Sequence, residues 1–181
     1  MIINPFNDLF YEYDLNIKKE EIDQIKVLLL HYENLGINTE QNQLSTYYPV
    51  NNLKTNILNF PVLKELKKQI IDILNLHKLF LGNSWAQIYK KTQKHKKHTH
   101  TNSAYSGIIY VDGNKNSGQT IFYHPLRDRL LEYDTNFIEI FKPEFKINKF
   151  ILFPSYIVHE VLEEKEDSNR TIISFNTKFK V

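Results

Sequence analysis

Two histidines one residue apart, His98 and His100, a third far along the chain at His159, and Arg170 eleven residues beyond it are the side chains best suited to chemistry. On extended backbone, residues two apart share a face, so His98 and His100 can offer two imidazole nitrogens to one metal ion while His159 arrives from a distant strand. Three protein nitrogens on one face of a metal leave its other positions open to small ligands.

The segment Asn169 to Asn176 alternates as a strand does, with Arg170, Ile172, Ser174 and Asn176 on one face. That face would bring Arg170 in beside the metal. A buried guanidinium is costly unless it meets an anion, and its planar fork suits a carboxylate held through two hydrogen bonds. The blander reading is an ion pair with Glu163, Glu164, Glu166 or Asp167 across a turn, worth under about 1 kcal/mol when exposed. In the same way, Lys90 to His98 could be a solvated basic loop whose histidines are incidental.

Over roughly Ser84 to Asn176 the chain resembles the iron(II)/2-oxoglutarate-dependent oxygenases, in particular their prolyl-hydroxylase-like branch. Tyr89 followed by His98-Thr99-His100 is similar to that family's Tyr with a His-x-Asp nine or ten residues on. Ser117-Gly118-Gln119-Thr120-Ile121-Phe122 resembles its Gly-rich strand start, and Phe150-Ile151-Leu152-Phe153-Pro154-Ser155 the strand leading to its distal histidine. His159 then takes the place of that histidine, and Arg170 that of the basic residue gripping the far carboxylate of 2-oxoglutarate. The resemblance implies catalysis at Fe(II) held by His98, His100 and His159, with 2-oxoglutarate and dioxygen as cosubstrates. It also implies that Tyr89 donates to the cosubstrate's carboxylate. Ser174, on the face of Arg170, is a further candidate for the clamp.

The chain departs from the family pattern at the second ligand, where Asp or Glu is usual and His100 stands. Ser106-Gly107-Ile108-Ile109-Tyr110 after His-x-His resembles a set of bacterial and phage 2-oxoglutarate oxygenases, which implies that His100 is a variant ligand. Three neutral imidazoles leave a ferrous site one charge more positive than a set with a carboxylate, altering metal preference and oxygen activation.

The elements that must position these residues divide the chain. Lys18 to Leu35 reads as a helix, with Ile22, Ile25, Leu28, Leu29 and Tyr32 at three-to-four spacing, acids in the first turn and Gly36 after it. Asn38 to Asn59, with Tyr47-Tyr48-Pro49, reads as a loop. Pro61 opens a second helix striped by Leu63, Leu66, Ile70, Ile73 and Leu74, and Gly82 closes that region. Short β-prone segments follow near 84–90, 104–111, 119–123, 137–141, 149–153, 156–162 and 170–177, with turn chemistry at Asp112-Gly113 and Ser117-Gly118. Helices first and strands afterward predict an α+β chain: a double-stranded β-helix, or jelly roll, with N-terminal helices packed outside. One domain over 1–181 is expected, with 1–83 mainly helical support and 84–181 the jelly-roll core.

Composition narrows the function classes. At 41% hydrophobic and 13% aromatic residues the chain is built to fold. With no cysteine, disulfides, thiolate nucleophiles and Cys-based metal sites are excluded. The start, Met1 to Phe6, lacks signal-peptide character, and the apolar run Val27 to Leu30 is far too short to span a bilayer, so a cytoplasmic protein without membrane contact is expected. A net charge of +2 does not by itself imply nucleic acid.

The remaining histidines and aromatics have blander expectations. His95 is expected to face solvent, His124 to bond backbone at a strand end, and His31 and His77 to pack or lie on the surface. Trp85 and Tyr110 are expected to be packing residues.

The leading reading is hydroxylation of a C–H bond in an unidentified substrate, a peptide or protein by the prolyl-hydroxylase flavour of the resemblance. The stretch from Pro125 to Asn148, with Arg127, Arg129, Lys142 and Lys146 and with Tyr133, Phe137 and Phe141, is expected to cover part of the cavity mouth. The alternative is a non-catalytic or 2-oxoglutarate-independent three-histidine module of cupin type. A third reading makes Lys90 to Lys97 a phosphate-contacting stripe on nucleic acid, with Tyr89, Tyr105 and Tyr110 for stacking.

Overall fold

The structure, a computed structural model, describes residues 10–34, 44–45, 56–126 and 140–180. In chain order these form β1 (Tyr11–Asp14), α1 (Lys19–Asn34), β2 (Leu44–Ser45), α2 (Lys64–Leu76), β3 (Leu79–Tyr89), β4 (His95–His98), β5 (Tyr105–Asp112), β6 (Thr120–Tyr123), β7 (Ile140–Phe141), β8 (Lys149–Pro154), β9 (His159–Val161) and β10 (Arg170–Phe179). A six-stranded sheet runs β1-β8-β5-β10-β3-β2 and a four-stranded sheet runs β4-β9-β6-β7, with antiparallel pairing throughout. This is the expected jelly roll.

Strand periodicity decides which residues reach the cavity. In the larger sheet, Ala86, Ile88, Ile109, Val111, Phe150, Leu152, Ile173 and Phe175 face outward and pack with Ile25, Leu29, Leu66, Ile70 and Leu74 of the two helices. Their neighbours Tyr89, Ile108, Tyr110, Ile151, Phe153 and Ile172 face the smaller sheet and meet Phe122, Ile157 and Val161 there. Because both faces are covered, β5 and β8 carry continuous apolar runs, Ile108 to Val111 and Phe150 to Phe153. Each fully buried aliphatic or aromatic side chain contributes about 1.5–3 kcal/mol, so this two-layer core can carry a costly polar site inside it.

The helices begin as their sequences dictate. Glu21 Oε2 accepts the backbone N–H of Lys18 at 2.9 Å, satisfying a donor at the start of α1. Pro61 opens a short 3-10 turn, Pro61–Leu63, and α2 proper starts only at Lys64.

Gly82 does not close the helical region; it lies inside β3, which starts at Leu79. The register there slips, so that Gly82 and Asn83 together oppose the single residue Asn176, between the pairs Ser84↔Phe175 and Leu81↔Thr177. That is a β-bulge. A Cβ on Gly82 would sit 2.8 Å from the carbonyl oxygen of Asn176, which is why glycine is required. Gly113, at φ +141°, supplies the expected turn after β5. Three strands were not legible: β1, which pairs with β8; β2, which pairs with β3 inside the segment read as a loop; and β4, which pairs with β9. The predicted segment 156–162 contracts to β9. No helix among the described residues is long and apolar enough to cross a membrane. Most of the predicted loop at 38–59 lies outside the described residues, as do Arg127, Arg129, Tyr133 and Phe137; of the other residues expected to cover the mouth, Phe141 packs on Phe10 and Phe122, Lys146 pairs with Asp14 at the surface, and neither they nor Lys142 line the cavity.

Candidate metal and cosubstrate site

His98 ends β4 and pairs with His159 at the start of β9, so two of the three imidazoles face each other across a ladder. His100 lies just past β4, not on it, and its backbone N–H donates to the carbonyl of Ser155 at 3.0 Å. One nitrogen from each of His98, His100 and His159 lies within 4.8 Å of the others, and the Nε2 atoms of His100 and His159 are 3.3 Å apart.

The remaining ring nitrogens are committed elsewhere. His98 Nδ1 donates to the carbonyl of Lys96 at 2.8 Å and His159 Nδ1 to that of Ile157 at 3.0 Å. Each bond fixes the tautomer that leaves Nε2 with its lone pair, as metal-ligating histidines require. Burial keeps the imidazoles neutral: it pushes His98 down, His100 down to about 4 and His159 well below the usual histidine value, with mutual repulsion adding at His100 and His159. Neutral, convergent and oriented nitrogens are what a divalent metal needs.

The histidines line a cavity of about 230 Å³ between the sheets. Its apolar wall is Ile108, Phe153, Val161 and Ile172, and its polar wall includes Gln87, Ser106, Ser174 and Asn176. Trp85 lines it too, with its ring stacked on His100 at 5.6 Å between centroids. The expectation that Trp85 only packs is corrected, and alternation from Tyr89 through Gln87 to Trp85 on β3 is the signal that could have found it.

His95 is also corrected: it does not face solvent. It lines the cavity, stacks on His98 with centroids 4.0 Å apart, and has Nδ1 3.4 Å from the Tyr89 hydroxyl. Burial first, then the neighbouring imidazoles, lowers its pKa to about 3. The cause is a register slip: His95 pairs with Val161 and His98 with His159, three residues on β4 against two on β9. The extra residue turns both rings inward although they are three apart. His124 behaves as expected, with its Nδ1 accepting the backbone N–H of Leu126 at 3.1 Å, and it does not line the cavity.

Arg170 starts β10 and is completely buried. Its Nη2 donates to Thr120 Oγ1 at 2.8 Å, while Nε and Nη1 have no hydrogen-bond acceptor. The rings of Tyr89 and Tyr110 lie against the guanidinium, at 5.2 and 5.4 Å from centroid to Cζ. The alternative ion pair to the 163–167 acids does not form. Glu164 instead accepts the backbone N–H groups of Gly118 and Glu166, and Asp167 pairs with Lys91. Thr120 is a contact that sequence reasoning did not single out, although it stands in the Gly-rich strand start.

The donor set and the two orphaned guanidinium nitrogens fit a divalent metal with a carboxylate-bearing ligand. Tyr89, buried with its phenol pKa pushed up by desolvation, stays a neutral donor whose hydroxyl has only long contacts to Gln87 at 3.3 Å and His95. Ser174 lines the cavity, as Tyr89 does, whereas Arg170 and Thr120 lie behind its lining, with the Tyr89 ring against the guanidinium.

A family model described as "Putative 2OG-Fe(II) oxygenase" matches residues 83–176, just over half of the chain. No curated protein matches the chain by sequence. Among solved structures, it is similar to an oxidoreductase of the 2OG-Fe(II) oxygenase family from Burkholderia pseudomallei at 10% identity and TM-score 0.64, covering 95% of this chain and 85% of that one. It is also similar to the viral collagen prolyl hydroxylase of Paramecium bursaria Chlorella virus-1, in its 2-oxoglutarate complex, at 14% identity and TM-score 0.60, covering 96% and 97%. A third is the α-ketoglutarate-dependent carbocyclase SnoK of nogalamycin biosynthesis, at 11% identity and TM-score 0.67, covering 96% and 81%. At these identities the likeness is one of fold, and the fold serves more than one reaction. The chain belongs to the 2OG-Fe(II) oxygenase family, whose members use iron(II), 2-oxoglutarate and dioxygen.

Proposed function

We propose that His98, His100 and His159 hold iron(II), that Arg170 with Thr120 beside it binds the remote carboxylate of 2-oxoglutarate, and that the chain hydroxylates a C–H bond of a peptide or protein. The observation that carries this reading is Arg170: completely buried, without a counter-charge among the described residues, and with two nitrogens lacking acceptors. An uncompensated buried charge costs several kcal/mol, and each unmet donor about 1–3 kcal/mol more. A carboxylate that reaches the guanidinium past Tyr89 would relieve both costs.

The other residues have roles that follow from their contacts. Tyr89 and Tyr110 hold the plane of the guanidinium, and the Tyr89 hydroxyl can turn from its long contacts toward a carboxylate oxygen. Phe153, Val161 and Ile172 keep water from the metal side of the cavity. Bound iron(II) with 2-oxoglutarate supplies the oxidative chemistry, in which cosubstrate decarboxylation by dioxygen is coupled to substrate hydroxylation. No side-chain general base is needed. A single domain over 1–181 and a cytoplasmic location remain part of this reading.

A peptide substrate is supported by the similarity to the collagen prolyl hydroxylase over nearly the whole of both chains. The test is succinate formation from 2-oxoglutarate with iron(II) and air, scanned over proline-containing peptides, with mass analysis of the product. A peptide heavier by one oxygen is the expected result. A product formed without gain of oxygen, as an epimerase or carbocyclase would give, would contradict hydroxylation.

A further inference from the structure

The densest run of positive charge in the chain has no role in the site described above. Lys90, Lys91, Lys94, Lys96 and Lys97 fall within eight residues, and no aspartate or glutamate stands between Asp72 and Asp112. The fold sets this run on and just before β4, the outer strand of the four-stranded sheet among the described residues. His95 and His98 turn to the cavity, whereas Lys94, Lys96 and Lys97 stay exposed. The strand that carries a candidate ligand inside is thus basic outside.

β4 also borders the way in. Thr99 and Thr101, just past it, are exposed and line the cavity, which places a mouth at the end of β4. Ser45 of β2, the outer strand of the larger sheet, lines the cavity too, so the cavity reaches an edge of each sheet. An outer strand offers a row of backbone N–H and C=O groups to an extended chain laid beside it. Lysines on that edge repel a second copy of it and attract an acidic chain, so charge selects the occupant.

Nucleic acid suits this surface less well. Stacking of bases needs exposed rings, yet Tyr89 and Tyr110 are each 1% exposed, and Tyr105 packs on the helix-side core. The Tyr123 ring lies 3.9 Å from Lys97 Nζ, but its hydroxyl is bonded to Glu160, an acid that would repel phosphate. Lys91 pairs with Asp167. Lys94 and Lys96 are therefore the cations assigned to a partner.

We propose that β4 is the docking edge for substrate: an extended, acidic polypeptide adds to it as a further strand, its carboxylates against Lys94 and Lys96, and so delivers a residue to the mouth beside His98 and Thr99. The inference rests on the reading of the chain as an oxygenase of peptides and names the class of peptide. In strand addition the main chain supplies affinity and alternate side chains supply selectivity.

The test is fluorescence anisotropy on the full chain with iron(II) and 2-oxoglutarate, kept anaerobic, with three labelled probes: a short proline-centred peptide rich in glutamate, its counterpart with lysine for glutamate, and a single-stranded oligothymidine. The acidic peptide is expected to bind at least about tenfold more tightly than the basic one, and Lys94→Glu/Lys96→Glu to remove that preference. N-methylation of alternate amides in the acidic peptide should abolish binding in one phase and spare it in the other, because an extended strand turns every second N–H to its neighbour. Attraction by charge alone would not distinguish the phases. Equal binding of the two peptides, a preference unchanged in the double variant, indifference to N-methylation in both phases, or tighter binding of the oligothymidine would overturn the inference. So would absence of any binding by the acidic peptide, the lysines then only guarding the edge against aggregation. The visible charge-transfer band of the same wild-type sample reads the site separately: with the band present these failures fall on the inference alone, and a missing band would overturn the oxygenase reading and this inference with it.

Discussion

Arg170 Nη2 donates to Thr120 Oγ1 at 2.8 Å, and this is the one side-chain hydrogen bond made by a completely buried guanidinium among the described residues. Relieving such a charge should stabilise the empty protein. Arg170→Met is expected to raise apo stability in urea unfolding by on the order of 1–4 kcal/mol while removing 2-oxoglutarate binding. Arg170→Lys should not restore that binding, because a point charge lacks the planar fork. A Met variant less stable than wild type would mean that the guanidinium is compensated in a way the geometry does not show.

The buried imidazoles set the pH dependence of the metal-free protein. In the unfolded chain each histidine takes up a proton near pH 6.5. In the folded chain His100 resists until about 4 and His95 until about 3, with burial the leading cause at both. Between those limits the unfolded state binds more protons, so this stability is complete above pH 6.5 and is lost as the pH falls toward 4. Each suppressed histidine contributes a slope of up to about 1.4 kcal/mol per pH unit. Urea midpoints measured from pH 7.5 to 4.5 should therefore fall steeply below 6.5, and a flat profile would count against four neutral rings.

Gly82 should tolerate no side chain. A Cβ there would lie 2.8 Å from the Asn176 carbonyl oxygen, so Gly82→Ala must shift one strand at the bulge, at a cost of about 1–3 kcal/mol. The melting temperature should fall accordingly. A variant as stable as wild type would mean that the two strands part at the bulge without cost.

His95 stacks on a candidate ligand without belonging to the convergent group. His95→Ala is expected to weaken Co(II) binding by less than about tenfold, and His95→Phe, which keeps a stacked ring, by less still. His98→Ala should abolish binding. Comparable losses at positions 95 and 98 would make His95 a fourth ligand.

The placement of side chains was legible in the sequence where strand alternation runs undisturbed. Arg170, Ile172, Ser174 and Asn176 do share a face of β10, and the last three line the cavity as that period predicts. The misreadings fall where alternation breaks. His95 and His98 both point inward only because β4 carries one more residue than β9 between the paired positions. Gly82 resembled a helix stop because nothing local announces that Asn176, far along the chain, approaches it. Thr120 escaped notice for a related reason: its value lies in a contact with Arg170, fifty residues away. Long-range register is what one sequence encodes least visibly.

The central claim is that one cavity holds iron(II) on three histidines and 2-oxoglutarate on Arg170. Anaerobic titration of the metal-free chain with iron(II) and 2-oxoglutarate, read by the visible metal-to-ligand charge-transfer band, tests it most directly. The account predicts a band that requires both additions and disappears in Arg170→Ala and in His100→Ala. Iron binding without any band, or a band indifferent to Arg170, would contradict it and favour a metal centre that works without this cosubstrate.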